Sequence, residues 1–93
     1  SLHYNLENIH SYAFSECTSL RHVYFPSSVK NLNHAAFQHC TNLYSIDLKS
    51  SPLTIGYSVF DGCSNLNEVE VYEGTSIYTW GFPKKTIVKT LKK

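Results

Sequence analysis

Apolar residues recur along this chain at a constant step of 23 residues. Phe14, Phe37 and Phe60 keep that step, as do Cys17, Cys40 and Cys63, and Leu20, Leu43 and Leu66. The same interval links Val23, Ile46 and Val69, then Phe25, Leu48 and Val71, and on the other limb Ile9, Leu32 and Ile55. The unit reads I-x4-F-x2-C-x2-L-x2-V-x-F followed by a polar turn, with the small residues Ala13, Ala36 and Val59 just before each phenylalanine. A unit this short cannot enclose its own apolar side chains. It buries them by stacking on its neighbours, which aligns identical columns into ladders and makes a one-dimensional core.

The pattern predicts the elements of each unit. The alternation Val23-x-Phe25, repeated at Ile46-x-Leu48 and Val69-x-Val71, reads as a short strand with those residues inward, and stacking pairs the strands in parallel. The segments Tyr12-Ala13-Phe14, Ala35-Ala36-Phe37 and Ser58-Val59-Phe60 are too short for full helices and suit single helical or 3₁₀ turns on the opposite side. Polar turns follow each strand at Pro26-Ser27-Ser28, Ser50-Ser51-Pro52 and Glu73-Gly74-Thr75. They follow each cysteine at Thr18-Ser19, Thr41-Asn42 and Ser64-Asn65. The expected fold class is an α/β repeat solenoid, with a short parallel sheet on one face and helical or 3₁₀ turns on the other.

The expected organisation is a single domain over residues 1–93. It comprises a partial repeat at 1–8, full repeats at 9–31, 32–54 and 55–76, and a degenerate C-terminal cap at 77–93. Leu2 occupies the column of Phe25, so the chain begins within a unit. Near the other end, Ile77 to Phe82 keeps the five-residue spacing of Ile9 to Phe14 one residue early. Pro83 then replaces the polar pair before the cysteine. Thr86-Ile87-Val88 is suited to a terminal strand.

Composition adds little beyond a compact module: 42% hydrophobic, 16% charged, with a formal net charge of +1. Five of the eight basic residues, Lys84, Lys85, Lys89, Lys92 and Lys93, lie in the last ten positions. They read as a solvated edge that discourages further stacking. An anionic partner is the competing reading, for which Tyr78 and Trp80 are the nearby aromatics. No apolar run approaches the roughly 18 residues of a membrane span, so no membrane insertion is expected.

The cysteine ladder has three readings: metal site, disulfide or buried thiols. Zinc ligands usually pair within a few residues, whereas these cysteines are 23 apart and only His39 sits beside one. Rungs about 4.8 Å apart bring neighbouring thiols near disulfide range, but side chains of one ladder point the same way while a disulfide needs converging Cβ vectors. Buried thiols are the favoured reading. His3, His10, His22, His34 and His39 form no metal-ligand or nucleophile-base motif, the serines lie mostly in turns, and the four glycines make no phosphate loop. Neither catalysis, a cofactor nor a metal is expected.

The columns I-x4-F-x2-C-x2-L closely resemble the BspA-like leucine-rich repeats of surface proteins in bacteria and some protists, over residues 2 to about 82. The resemblance implies a leucine-rich-repeat solenoid. It also implies an exported protein, secreted or at the cell surface, with many more repeats and a part in adhesion to host or extracellular-matrix proteins.

The outward residues of the strands are the candidate ligand-binding face, because period-two alternation exposes the neighbours of the apolar positions. They run His22, Ser45 and Glu68 in one column and Tyr24, Asp47 and Glu70 in the next, with Arg21 and Tyr44 at the strand starts. The first rung is basic and aromatic and the last acidic. A cation between Asp47 and Glu70 is disfavoured, since calcium usually takes six or more oxygen ligands. The function expected is a non-catalytic protein-binding module acting as a monomer, part of an adhesin-like protein, with no nucleic-acid partner. The alternative is a structural spacer without a ligand of its own.

Overall fold

The computed structural model describes residues 6–48, 54–75 and 80–92. They form about three turns of a parallel β-solenoid. Each coil carries a two-residue strand, a run of turns and a longer strand. The short strands β1 (Asn8–Ile9), β3 (Asn31–Leu32) and β5 (Thr54–Ile55) make one parallel sheet, in that order. The longer strands β2 (His22–Tyr24), β4 (Ser45–Leu48), β6 (Glu68–Tyr72) and β7 (Ile87–Leu91) make a second. Register follows the sequence columns: His22 faces Ser45 and Ser45 faces Glu68, while Val23, Ile46 and Val69 align one residue on.

The small sheet was not expected, although its inward column was. Ile9 and Leu32 are buried and Ile55 is half-buried at the places the 23-residue step assigns them. The flanking polar residues tie the rungs together: Asn31 donates its side-chain amide to the Asn8 side chain, and Asn33 Nδ2 donates to the Ile9 carbonyl at 2.8 Å.

The opposite side corrects the expectation of helical or 3₁₀ turns, for no helix occurs among the described residues. Backbone amides there alternate between two kinds of partner. Those of Tyr12, Phe14 and Glu16 donate across to the carbonyls of His34, Ala36 and Gln38 on the next rung, at 3.1, 2.7 and 2.8 Å. Those of Ala13, Ser15 and Cys17 donate back three residues, to His10, Tyr12 and Phe14. The next coil repeats this, with Ala35, Phe37 and His39 donating to Tyr57, Val59 and Asp61. A helix would keep every amide within its own segment. Here the left-handed φ angles of Tyr12 and Glu16, Ala35 and His39, and Ser58 and Gly62 turn alternate amides outward to the neighbouring coil. Rung-to-rung bonding therefore continues on the turn side as well as on the sheets.

Inside, the phenylalanine ladder is continuous. Phe14 and Phe37 stack at 5.0 Å and 8°, Phe37 and Phe60 at 5.6 Å and 14°, and Phe25 meets Phe37 edge-on at 5.4 Å. Phe82 carries the stack on, 5.5 Å and 29° from Phe60. The cysteines form no disulfide. Cys40 and Cys63 are buried, and their thiols donate to the carbonyls of Phe14 and Phe37, both at 3.1 Å. The contact with the Cys40 thiol, followed by burial, pushes the Cys63 thiol up. Cys17 is half-exposed, and its thiol is raised by burial and then by Cys40.

The last coil is shortened. The Phe60 amide donates to the Trp80 carbonyl, whereas the Phe37 amide donates to Val59, so Trp80 takes the column of the small residues Ala36 and Val59. Its indole is fully buried against Phe60 and Phe82, with Nε1 lacking a hydrogen-bond partner among the described residues. β7 then pairs with β6 in the register Glu68 to Ile87, a step of 19 residues where the earlier rungs take 23. The terminal strand expected at Thr86-Ile87-Val88 begins at Ile87 and reaches Leu91. Leu2 and most of the expected partial repeat, the turn Ser50-Ser51-Pro52, Ile77, Tyr78 and Lys93 lie outside the described residues.

Candidate functional site on the outer sheet face

The strands of the larger sheet are too short to do more than alternate. Val23, Ile46, Leu48, Val69 and Val71 therefore point to the core, and their neighbours are left outward. The structure brings six of the eight expected site residues, all but Arg21 and Tyr44, around one shallow concavity of about 130 Å³. His22, Tyr24, Ser45, Asp47, Glu68 and Glu70 line it, with Ile46 beneath. Arg21 and Tyr44 stand at its margin, one residue before β2 and β4.

At the first rung, His22 is held from two sides. Its Nδ1 hydrogen-bonds the Ser45 hydroxyl, and its ring meets Tyr24 edge-on with centroids 4.5 Å apart. Tyr24 is nevertheless 61% exposed and Tyr44 52% exposed, so both present large amphipathic surfaces to solvent. The Tyr44 hydroxyl accepts a hydrogen bond from Asn67 Nδ2 at 3.2 Å, which fixes the ring over the next rung. Backbone amides of Tyr44 and Ser45 both donate to the Arg21 carbonyl, so the margin is pinned to the frame.

Three features of this face were not foreseen. The terminal strand expected beyond the acidic rung takes a register that sets Lys89 opposite Glu70. The charge order down the sheet is therefore basic, acidic and basic again, where the alignment of columns placed the acidic residues last. Ile87 and Leu91, 55% and 37% exposed, add apolar surface at that edge, and Asn67 supports Tyr44. The signal for Lys89 was present in the alternation Ile87-Val88-Lys89, but the shortened coil hides its partner from a search at 23 residues.

No group of three or more His, Cys, Asp or Glu side chains is placed to hold a metal ion among the described residues. Trp80, considered above as a surface for stacking bases, is buried and unable to offer one. No helix of the described residues is long and apolar enough to cross a membrane.

The family model for the BspA type leucine-rich repeat region matches residues 1–92, in 6 copies. No match was found among curated proteins or among solved structures.

Proposed function

Since the chain belongs to the BspA-type leucine-rich-repeat family, we propose that it is a non-catalytic protein-binding module, a segment of a secreted or cell-surface adhesin-like protein. Its contact surface is the outer face of the β2-β4-β6-β7 sheet. The observation carrying this reading is the contrast between the two sides of the same strands. Inward residues repeat as Val, Ile and Val, while outward ones run His, Ser and Glu in one column and Tyr, Asp and Glu in the next, with Tyr24 and Tyr44 held out in solvent. Residues that serve only to be wet have no need of a fixed arrangement such as the His22, Ser45 and Tyr24 cluster.

The partner is a host or extracellular-matrix protein, and the module engages it as a monomer. Four rungs about 4.8 Å apart and strands of three to five residues give roughly 300 Å², well below the roughly 800 Å² per partner of a standard interface. A single copy thus binds weakly, and useful affinity comes from several copies or repeats acting together. The same small area favours a second reading, a spacer that contacts nothing.

Titration of the domain against a panel of matrix proteins and glycans separates the two. The adhesin reading expects weak, saturable binding to a protein, lost when Tyr24, Asp47, Glu68 and Glu70 are all changed to alanine while the melting temperature is held. Silence at millimolar domain concentration supports the spacer.

A further inference from the structure

The turn side carries a second exposed surface, of different chemistry from the sheet face. Tyr12 and Tyr57 are 55% and 69% exposed, and His34 on the rung between them is exposed as well. The three stand on successive rungs: the Tyr12 amide donates to the His34 carbonyl and the Ala35 amide to the Tyr57 carbonyl, both at 3.1 Å. The Tyr12 and His34 rings meet edge-on with centroids 5.5 Å apart. The fold does not call for aromatic residues at these places. At the 23-residue step Ser11 shares the column of His34 and Tyr57, while Ala35 and Ser58 share that of Tyr12. Small residues therefore serve the same positions on other rungs. A lone exposed aromatic needs no explanation, whereas exposed aromatics on three consecutive rungs make a patch.

We propose that this patch binds a neutral, unbranched oligosaccharide of equatorially linked pyranose rings, laid along the stacking axis over Tyr12, His34 and Tyr57. Such a sugar offers flat faces of C–H groups edged by hydroxyls. Tyrosine matches both, with a rigid apolar face and a polar tip that costs little conformational entropy to hold. The His34 imidazole and the exposed Ser11 hydroxyl add further hydrogen-bonding groups. None of residues 10–13, 33–36 and 56–59 is Asp, Glu, Lys or Arg, so the patch carries nothing with which to select an ionic ligand. The outer sheet face, with Asp47, Glu68, Glu70 and Lys89, is the opposite case. Rungs about 4.8 Å apart match the length of one pyranose ring, so three rungs take three rings. A proline-rich peptide fits this spacing poorly, because a polyproline-II helix brings the same side round only every three residues, or about 9 Å. The inference is independent of the protein-binding reading of the sheet face.

The test titrates the isotope-labelled domain with cello-oligosaccharides of two to six rings and with chitotriose, followed by amide chemical shifts. A hyaluronan tetrasaccharide and a nonaproline peptide serve as the acidic and the peptide comparisons. Shifts are expected at residues 10–12, 33–35 and 57–58. Affinity should rise about tenfold from the two-ring to the three-ring sugar, the worth of one added aromatic contact, and then level off. Tyr12→Ala and Tyr57→Ser each install a residue that the same column already holds on another rung. Each should weaken binding of the trimer about tenfold, and Tyr57→Ser, at the more exposed position, should leave the melting temperature unchanged. Silence from both neutral trimers overturns the inference, as does equal or tighter binding of hyaluronan or nonaproline. So do shifts confined to the outer sheet face, or variants that bind like the parent. A matrix protein stripped of its glycans addresses the sheet face alone, so either site can fail without the other.

Discussion

Removing the Phe37 ring is the sharpest perturbation of the ladder. The side chain is fully buried, stacked on Phe14 and Phe60 and met edge-on by Phe25. Truncating such a ring to alanine costs about 3 to 5 kcal/mol, from lost burial and from the cavity left behind. The upper part of that range applies, since each aromatic pair adds about 0.5 to 1.5 kcal/mol to simple burial. Phe14 is the same residue in the same column, but it is half-buried with one ladder neighbour among the described residues, Phe37, so Phe14→Ala should cost about 1 to 2 kcal/mol. Domains of this size are stable by about 5 to 14 kcal/mol, and each kcal/mol moves the midpoint by about 4 to 8 °C. Phe37→Ala should therefore melt at least about 16 °C below the parent, and Phe14→Ala markedly less so. Thermal unfolding followed by circular dichroism measures both. An equal or larger loss at Phe14 would refute the ladder as the source of stability, because Phe14 is both less buried and has fewer ring neighbours among the described residues.

The left-handed turns make a second prediction. Glu16 is exposed at φ 62°, a conformation costing about 1 to 2 kcal/mol for an L side chain, so Glu16→Gly should raise stability by roughly 0.5 to 1 kcal/mol after glycine's entropic cost. Gly62→Ala should do the reverse by about 1 to 2 kcal/mol, since its φ is 78° and its Cβ would fall 2.1 Å from His39 Nδ1. Thermal melts check both. With a thiol-specific disulfide reagent, Cys17 should react first and Cys40 and Cys63 only on unfolding. Because the Cys17 thiol is raised, its labelling at pH 8 should be slower than that of free cysteine and should speed up as pH rises. Equal labelling of all three native thiols would contradict the buried ladder.

The ladders were legible because each column repeats one chemistry at one step, so the inward residues and the strand register followed from counting. Turn geometry was not. Tyr12, Glu16, Ala35 and His39 take left-handed φ although their types do not demand it, and only Gly62 in those columns hints at it. The hydrogen bonds to the next coil hold them there, and such a contact has no local sequence signal. The small sheet escaped notice because two-residue strands show no alternation. β7 was visible as a strand, but its partner was hidden by the shortened coil, which is why Lys89 was missed as the neighbour of Glu70. The candidate face was readable as columns; its concavity and the clamping of His22 by Ser45 and Tyr24 depend on side-chain placement between rungs.

The claim that the outer sheet face makes the contact is tested most directly by mapping amide chemical shifts of the labelled domain as a binding matrix protein is added. The account predicts changes concentrated at His22–Tyr24, Ser45–Leu48 and Glu68–Tyr72. Changes concentrated instead on the turn side, at residues 34–39 and 57–62, would contradict it.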